Sequence, residues 1–593
     1  MKKTLFFCCL LMGQLCMASP LIQNPHARAG ISLDGNWTRI VDPFETGYYN
    51  HRFEVHTDGF FSNRKQQNPA ELIEYDFATS PVLQVPGDWN SQEKELFFYE
   101  GTVWYQREFF LDRQQDRHYQ VYFGAVNYQS IVYVNGTEVG RHEGGFTPFQ
   151  FDITEQLLDG ENFIVVKVDN RRERDNIPTV NSDWWNYGGI TRSVRILDLP
   201  ERYLADYSLK LSTDGQIKGW IRVSGKSAGP VELEIAALSV QQAITPDEKG
   251  FARFSVPARP GLWSPKSPML YDITWRYNGE AISDRIGFRQ LAVNGQDILL
   301  NGQPVFLRGI SLHEETPAGG SRAWSEEHAR QLLGWVKELG ANFVRLAHYP
   351  HNEHMLRVAD ELGLMVWSEI PVYWTVKFTS QEVYTKAENQ LTEMITRDRN
   401  RASIVLWSIA NETPQSEGRL AFLTRLAKRA RELDPGRLIT AALDTQSEVD
   451  GGKLINDPLS AVVDVIGINS YCGWYGGTPE SCAGMTWRSE YNKPVIMSEF
   501  GGGALHGKHG DADHRWTEEY QAAVYANNLS MIDNMTFLRG LSPWILKDFR
   551  SPRRPLPEIQ DYWNRKGLLS ETGEKKAAWF LLQDYYEKRA AAD

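Results

Sequence analysis

Two glutamates each follow a short apolar run, which is an unusual place for a carboxylate. Glu412 comes after the run at 404–410 and Asn411, and Glu499 comes after the run at 494–498. Such runs are typical of strands buried on both faces, which do not tolerate a carboxylate within them. Glycoside hydrolysis needs a pair of carboxylates, roughly 5–5.5 Å apart in retaining enzymes. The two glutamates are therefore a candidate catalytic pair if the fold brings them together.

Eight apolar runs after residue 294 alternate with helical patterns, which predicts parallel strands joined by crossover helices. Two of the helical patterns are SEEHARQLLGWVKELG and RLAFLTRLAKRARELDP. Eight strands, each followed by a helix, are typical of a (β/α)8 barrel, which we predict at 295–593. The predicted strands are 305–311, 343–346, 365–370, 404–410, 438–443, 463–469, 494–498 and 541–546.

The barrel explains the positions of the two glutamates. Active sites of such barrels lie at the carboxyl ends of the strands. Glu412 follows the fourth predicted strand and Glu499 follows the seventh, so their carboxylates can face each other across the barrel mouth. A single glutamate at a strand end could equally be a helix cap or half of an ion pair. Two of them on these strands favour catalysis.

Short alternating strand patterns broken by turns fill the chain before the barrel. From 20 to 200, patterns such as TVWYQREFFL and SIVYVNGTEVGRH predict an antiparallel β-sandwich. Asn135 and Gly136 predict a tight hairpin turn within it. From 201 to 294, GWIRVSG, VELEIAAL and FARFSVP predict a smaller, seven-strand immunoglobulin-like β-sandwich. The sequence therefore predicts a multidomain protein.

The first 19 residues, MKKTLFFCCLLMGQLCMAS, have two lysines, a short apolar run and small residues at the end. This pattern predicts a signal peptide at 1–19 and a periplasmic or secreted product. No later stretch is apolar enough to predict a membrane span. Of the five cysteines, Cys472 and Cys482 alone follow the signal. The sequence leaves open whether they pair in an oxidising compartment.

Composition and charge narrow the choice of partners. The 593 residues are 42% apolar and 23% charged, as in an ordinary globular protein, and the formal net charge is −12. An acidic chain disfavours nucleic acid and anionic membranes as general partners. The chain has 19 Trp and 25 Tyr, whose rings can either fill large cores or stack on the faces of sugars. We expect most of them to lie in cores.

Several motifs, in order along the chain, resemble glycoside hydrolase family 2. The first sandwich carries LDGNW, VPGDWN and VNGTEVGRHEGGFTPF and is similar to the jelly-roll domain of that family. The barrel carries NGQPVFLRGISLHEE, VRLAHYP, WSIANE and MSEFGG. The resemblance covers nearly the whole chain after the signal. It implies that Glu412 is the general acid/base, that Glu499 is the nucleophile and that Asn411 holds the sugar 2-hydroxyl.

Within the family, the motifs are most similar to those of enzymes that act on β-glucuronides. The run WNRKG matches an Asn-x-Lys signature for the substrate carboxylate, which implies that Asn564 and Lys566 bind it. An arginine often stands shortly before this signature in such enzymes, whereas this chain has Gln560. The resemblance implies further substrate contacts from SDWWNYGGITRS, from NSYCGWY and from the barrel rim, namely Asp183, His313, His348, Tyr471, Tyr475 and Trp544.

The loop after the eighth predicted strand is basic although the chain is acidic. A guanidinium or ammonium there would pair with the carboxylate of an acidic sugar. We expect Lys566 to contact the substrate. We expect at least two of the arginines to pair instead with Asp548, Glu558 or Asp561. The cations of the loop are Arg550, Arg553, Arg554, Arg565 and Lys566.

Three further residues of the barrel rim have predicted contacts. We expect Arg345, after the second strand, to hydrogen-bond Glu499 and lower its pKa, although a simple rim ion pair is the alternative. His313 and His348 lie near carboxylates in the sequence, but their spacing fits no zinc motif. We therefore expect these histidines to contact substrate or support the structure, with no metal or other cofactor.

These observations predict an exported, retaining exo-β-glycosidase that removes terminal β-linked glucuronic acid, in the degradation of polysaccharides. Its expected partner is an oligosaccharide or glycoconjugate substrate. We expect it neither to bind nucleic acid nor to insert into a membrane, and the sequence leaves open whether it forms a homo-oligomer. One alternative is a β-galactosidase of the same family acting on a galactan. A more distant alternative is a non-catalytic carbohydrate-binding protein. The presence of both carboxylates and of Asn411 argues against it.

Overall fold

Two β-sandwiches precede a closed barrel along the chain, as the strand patterns predict. The structure, a computed structural model, describes residues 21–226, 229–448 and 451–592. The predicted signal peptide at 1–19 lies outside the described residues. Within those three ranges, no helix is both long enough and apolar enough to cross a bilayer.

The first sandwich, the jelly-roll, packs a four-stranded sheet on a six-stranded sheet. Val103 and Tyr105, two positions apart on one strand, both face the apolar core between the sheets. Asn135 and Gly136 have φ values of 50° and 80° and form the predicted tight turn. The strands of the two sheets are Gly30–Ser32, Gly35–Val41, Val82–Val85, Thr102–Leu111, Arg117–Phe123, Gln129–Val134, Thr137–Glu143, Phe149–Asp152, Gly160–Asp169 and Val194–Pro200.

The second sandwich has seven strands in sheets of three and four, as predicted for an immunoglobulin-like fold. Tyr207 and Trp275 are fully buried in its core. A small sheet then spans residue 294 and leads into the barrel; its strands are Leu291–Asn294, Asp297–Leu300 and Gln303–Pro304. The seven strands of the sandwich are Leu204–Leu211, Ile217–Val223, Val231–Ile235, Val240–Ile244, Phe251–Val256, Tyr271–Tyr277 and Glu280–Ile286.

All eight predicted barrel strands are present, and they close into one parallel barrel. The circle closes where Leu307 of the first strand pairs with Gly540 of the eighth. The eighth strand ends at Leu541, so the predicted run 541–546 is shifted, and most of it forms the segment that follows the strand. The strands are Leu307–Leu312, Phe343–Leu346, Met365–Glu369, Ile404–Asn411, Leu438–Leu443, Val465–Asn469, Val495–Glu499 and Leu538–Leu541.

Helices follow most of the barrel strands, and local signals mark where they begin. Ser325 precedes the first of them and accepts a hydrogen bond from the N–H of His328, as an N-cap does. The two helical patterns noted in the sequence are observed as Glu326–Glu338 and Glu417–Leu433. The other barrel helices of more than one turn are Glu353–Leu362, Gln381–Asp398, Glu518–Asp533 and Ala577–Ala592.

The expectation of a helix after every strand is wrong at the fifth strand. Only the short 3-10 helix Pro458–Ala461 follows it within the described residues, and the sixth strand is followed by the single turn Pro479–Cys482. The chain here forms a small side sheet instead, with strands Gln446–Ser447, Lys453–Ile455 and Trp487–Ser489. The fifth and sixth strands are therefore followed by a small sheet, short turns and loops rather than by long helices.

Buried polar contacts fix the jelly-roll over the barrel mouth. Arg192 Nη2 donates to Glu314 Oε2 at 3.0 Å, and the hydroxyl of Tyr187 donates to Glu315 Oε1 at 2.9 Å. Both glutamates follow the first barrel strand, after His313. Removing one partner of a buried ion pair costs about 3–5 kcal/mol. The jelly-roll segment that contains Tyr187 and Arg192 is therefore held firmly against the barrel.

Candidate active site

Glu499 is the last residue of the seventh barrel strand and lies buried at the barrel mouth. Arg345 Nη1 donates to Glu499 Oε1 at 2.6 Å, and the hydroxyl of Tyr471 donates to Oε2 at 2.6 Å. Arg345 belongs to the second strand and is fully buried, whereas Tyr471 follows the sixth. Each carboxylate oxygen is thus held by one strong donor, which fixes the orientation of the group.

Glu412 directly follows the fourth strand, as predicted. Its Oε1 accepts a hydrogen bond from Asn469 Nδ2 at 2.8 Å, and its Oε2 accepts one from Trp374 Nε1 at 2.9 Å. Asn469 ends the sixth strand and lies opposite Glu499 in the strand register. Asn469 therefore holds Glu412 with its side chain, while its backbone lies beside that of Glu499.

A third carboxylate, Glu369, lies behind Arg345 and was not predicted. Arg345 Nη2 donates to Glu369 Oε1 at 3.1 Å, and His348 Nδ1 lies 2.8 Å from the same oxygen. The other ring nitrogen of His348, Nε2, lies 3.8 Å from Glu499 Oε1, so this ring stands between the two carboxylates. Burial raises the pKa of Glu369, but the charge of Arg345 and the contacts with His348 and Arg345 together bring the pKa down to about 2. Glu369 is therefore a permanent anion that holds Arg345 in place.

Three influences act on the pKa of Glu499. Burial raises the pKa of Glu499 above its ordinary value, the charge of Arg345 opposes that rise, and Glu412 adds to it. The expected contact with Arg345 is present. The charge of Arg345 lowers the pKa of Glu499 as expected, but burial at this site has the larger effect, and the net pKa is raised. We call the set Arg345, Glu369, Glu412 and Glu499 the reaction end of the pocket.

Asn411 offers an uncommitted donor beside the reaction end. Its Oδ1 accepts hydrogen bonds from Arg345 Nη2 at 2.8 Å and from Asn469 Nδ2 at 3.2 Å. Its Nδ2 is buried and has no hydrogen-bond partner among the described residues. A buried N–H without an acceptor costs roughly 1–3 kcal/mol, which a ligand hydroxyl can recover. The predicted role of Asn411 at the sugar 2-hydroxyl stays a prediction that this geometry allows.

Lys566 is a buried cation surrounded by aromatic rings. Its Nζ donates to the hydroxyl of Tyr475 at 2.8 Å and lies 5.6 Å from the ring centres of Tyr471 and Trp474. The side chain is 3% exposed, and no ion pair among the described residues includes it. A buried ammonium without a counter-ion is costly, so an anionic ligand would stabilise this site.

Asp183 enters the same end of the pocket from the jelly-roll. It accepts hydrogen bonds from the Ser551 hydroxyl at 2.5 Å and from Asn564 Nδ2 at 3.2 Å, and it forms an ion pair with Arg554. The resemblance-based expectation that the jelly-roll places Asp183 in the pocket agrees with this position. We call the set Asp183, Arg554, Asn564, Lys566 and Tyr475 the recognition end.

The arginines of the basic loop pair differently from the expectation. Of the three acidic residues named in advance, Asp548 alone pairs with one of these arginines within the described ranges, with Arg565 at 3.2 Å. Arg554 pairs instead with Asp183, from another domain. The expectation of at least two pairs with those residues is therefore wrong, because a partner from a distant domain has no signal near the arginine in the sequence.

Aromatic rings line the pocket near the ends of the first and second strands. The ring of Trp544 stacks on His348 at 4.7 Å and meets His313 edge-on at 5.2 Å. Trp184 of the jelly-roll, which was not predicted, contacts both histidines. His313 Nδ1 is hydrogen-bonded to the hydroxyl of Tyr349 at 3.1 Å, and burial lowers the pKa of His313 well below its ordinary value. His313 is thus a neutral part of this wall.

A disulfide joins Cys472 to Cys482, ten residues apart, in the segment after the sixth strand. Tyr475 lies inside the closed loop, and Tyr471 directly precedes it. The bond therefore restrains the segment whose hydroxyls contact both Glu499 and Lys566. A cavity of about 600 Å³ opens beside this segment.

Some of the site residues that were not predicted are marked by a pattern in the sequence, and others are not. Glu369 ends the apolar run MVWSE, so it obeys the same rule that singled out the catalytic pair. Asn469 likewise ends a strand. Trp184 and Trp374 lie in loops, where nothing in the local pattern shows which way a ring faces.

Known proteins resemble this chain over almost its whole length. The model described as "Glycosyl hydrolases family 2, TIM barrel domain" matches residues 291–589, and that of the family's sugar binding domain matches 32–200. A β-glucuronidase of Rattus norvegicus is 29% identical over 614 residues, with 93% of this chain and 90% of that protein covered.

Two solved structures show the same likeness. The β-glucuronidase of an uncultured Clostridium has a TM-score of 0.80 at 26% identity, with 96% of this chain and 100% of that chain covered. A β-galacturonidase from Eisenbergiella tayi bound to galacturonate has a TM-score of 0.78 at 27% identity, with 95% and 98% covered.

These likenesses agree with the geometry of the pocket. The relatives are glycoside hydrolases that resemble this chain from the jelly-roll to the barrel. They give no support to the alternative of a non-catalytic carbohydrate-binding protein. Because the family model of the barrel alone matches half of the chain, the chain belongs to glycoside hydrolase family 2.

Proposed function

We propose that this hydrolase is an exported, exo-acting β-glucuronidase that retains the anomeric configuration. The observation that carries the choice of sugar is Lys566, a buried ammonium with no carboxylate partner among the described residues. Asn564 lies two residues away, and its amide also faces the recognition end. The carboxylate of a terminal uronate would supply the counter-ion that Lys566 lacks.

The proposed reaction has two displacements. In the first, Glu499 attacks the anomeric carbon while Glu412 gives a proton to the glycosidic oxygen, so that the C–O bond breaks and the aglycone leaves as an alcohol. In the second, Glu412 takes a proton from water, whose oxygen attacks the same carbon and releases the sugar and the carboxylate of Glu499. Two inversions at one carbon give overall retention.

The recognition end supports an exo mode of action. Asp183 is bonded to Ser551, Arg554 and Asn564, and these contacts join the jelly-roll to the loop after the eighth strand. This junction blocks the chain of a polysaccharide from continuing past a sugar bound at Lys566. The pocket thus suits a terminal sugar, and the cavity of about 600 Å³ beside Tyr471 suits a hydrophilic aglycone because Asp444, Thr445 and Ser470 line it.

Export rests on the sequence pattern at 1–19, and the disulfide between Cys472 and Cys482 supports it, because such bonds persist in oxidising compartments. We expect the mature protein in the periplasm or the medium, without its first 19 residues. Cell fractionation and N-terminal sequencing test this expectation. A cytosolic protein that still begins at Met1 would contradict it.

A second candidate is a β-galacturonidase. The likeness to the enzyme from Eisenbergiella tayi favours it, and a carboxylate bound to Lys566 leaves the configuration at C4 of the sugar undecided. The β-galactosidase alternative has no such support, since a neutral sugar would leave Lys566 unpaired.

Comparing kcat/KM on three substrates tests these candidates. We expect 4-nitrophenyl β-D-glucuronide to be hydrolysed faster than the β-D-galacturonide, and both much faster than the β-D-galactoside. Faster turnover of the galacturonide would favour the second candidate. Faster turnover of the galactoside would contradict both.

A further inference from the structure

Two cations converge on the hydroxyl of Tyr475. Lys566 Nζ donates to it at 2.8 Å, and Arg554 Nη2 donates to it at 3.3 Å. A neutral phenol is a weak acceptor for two positive charges, and a carboxylate forms shorter and stronger bonds with such donors. The point between Lys566 and Arg554 is therefore suited to an anion.

The recognition end also contains a negative charge of its own. Asp183 lies 3.2 Å from Asn564 Nδ2, so a substrate carboxylate bonded to that amide would lie close to a second carboxylate. Like charges at such a distance repel each other, and the repulsion would oppose binding of an acidic sugar. The ion pair of Arg554 with Asp183 offsets this charge and leaves Lys566 as the excess positive charge.

Arg554 keeps unused donors while it holds Asp183. Its Nε and Nη2 bond to Asp183, and Nη1 donates to no acceptor in the described part of the chain. Its side chain is 21% exposed, so solvent screens its charge only in part. A guanidinium has five donors in a planar fork, which allows it to bind two carboxylates at once.

We propose that Arg554 is a second ligand of the substrate carboxylate, shared between that carboxylate and Asp183. The uronate lies between Lys566 and Arg554, where both cations now donate to Tyr475. This assignment rests on the proposed uronide specificity and deepens it, because it names a residue that selects an acidic sugar over a neutral one.

The test compares two substrates that differ in one charge, 4-nitrophenyl β-D-glucuronide and 4-nitrophenyl β-D-glucuronamide. Arg554→Met should lower kcat/KM at least about tenfold on the glucuronide and less than about threefold on the amide. Arg554→Lys, which keeps the charge but loses the fork, should show a smaller selective loss on the glucuronide.

A matched control removes a charge from the same loop. Arg553 donates to Asn181 and lies over the ring of Trp374 at 5.0 Å, and it has no contact with Tyr475. Arg553→Met should keep the ratio of kcat/KM between the two substrates within about twofold of the wild type. A ratio that falls as far as in Arg554→Met would mean that the overall charge of the loop acts on the substrate, and it would overturn the assignment.

The remaining outcomes separate this assignment from the proposed function. Two outcomes with unchanged melting temperatures would show that Arg554 only positions or neutralises Asp183, and would overturn the assignment alone. One is an equal loss on both substrates in both variants, and the other is a selective loss in Arg554→Met that is absent from Arg554→Lys, which keeps the charge beside Asp183. A wild-type enzyme that hydrolyses no uronide would overturn the proposed function and this assignment with it. If Arg554→Met does not fold, Arg554→Lys and its selective loss decide the question.

Discussion

The reaction end and the recognition end of the pocket are built from different kinds of structure. The residues of the reaction end lie at or next to the carboxyl ends of four barrel strands, the second, third, fourth and seventh. The recognition end combines Asp183 of the jelly-roll with Arg554, Asn564 and Lys566, which follow the eighth strand. Strand register fixes positions at the reaction end, whereas loops from two domains must meet to form the recognition end.

The two ends are both largely buried. Arg345 is fully buried and Glu499 is 4% exposed, and Lys566 of the recognition end is 3% exposed, whereas its neighbour Tyr475 is 62% exposed. The ends differ in their roles, since only the reaction end takes part in breaking and forming bonds, so a substitution there should cost more activity. This difference indicates that the barrel strands carry the catalytic residues, whereas the loops select the sugar. Such loops can change in sequence without moving the catalytic residues.

Glu499→Gln should have the largest effect, because it removes the nucleophile and keeps the shape of the side chain. We expect kcat on 4-nitrophenyl β-D-glucuronide to fall at least about 10⁴-fold. An unchanged melting temperature would show that the variant is folded. Substantial remaining activity would mean that Glu499 is not the nucleophile.

Glu412→Gln should have the next largest effect, and its size should depend on the leaving group. We expect a loss of about 10²–10⁴-fold on substrates whose aglycone needs a proton, and a much smaller loss in the first step with a dinitrophenyl leaving group. Pre-steady-state release of the phenol measures that step. Loss with every leaving group, together with an active Glu499→Gln, would reverse the two roles.

Lys566→Ala tests whether the recognition end selects substrates by the negative charge of their carboxylate. Removing one partner of a buried charged pair costs roughly 2–5 kcal/mol, which lowers kcat/KM on a glucuronide at least about thirtyfold. A neutral β-glucoside has no carboxylate to leave unpaired, so its slow hydrolysis should be unchanged or faster. Equal losses on both substrates would mean that Lys566 holds the loop and not the substrate.

Glu369→Gln should have the smallest effect on rate and the clearest effect on pH dependence. Glu499 must be ionised to attack, so activity is lost as pH falls through its pKa. Without the charge of Glu369, Arg345 interacts more strongly with Glu499 and lowers that pKa, so the acid limb of kcat/KM should move down by roughly one unit. A loss in kcat of about tenfold should accompany it as Arg345 becomes less well placed.

Glu361→Gln is the matched control for this shift, since Glu361 pairs with Arg330 at 2.7 Å on the outside of the barrel. Its pH profile should match that of the wild type. If Glu369→Gln lowers kcat but leaves the acid limb in place, Glu369 has only a packing role.

Local patterns were sufficient for the architecture because most residues of each barrel strand are apolar and the strands are bounded by turns. All eight strands were predicted, and the eighth was misplaced because the apolar segment that follows Leu541 is buried as well. The missing helix after the fifth strand could not be predicted, since the side sheet that replaces it includes a parallel pairing of Lys453–Ile455 with Trp487–Ser489, which lies beyond the sixth strand. Glu369 also ends an apolar strand, so the rule that identified Glu412 and Glu499 applies to it as well.

The sequence by itself determined the barrel and the two carboxylates at its mouth, because the position of a residue at a strand end follows from its neighbours in the chain. Only the tertiary structure decided what surrounds them. Arg554 and Asp183 are 371 residues apart, and Arg345 and Glu499 are 154 apart. Burial, which raises the pKa of Glu499 and leaves Lys566 in need of an anion, likewise depends on the packing of whole domains, and no local pattern contains it.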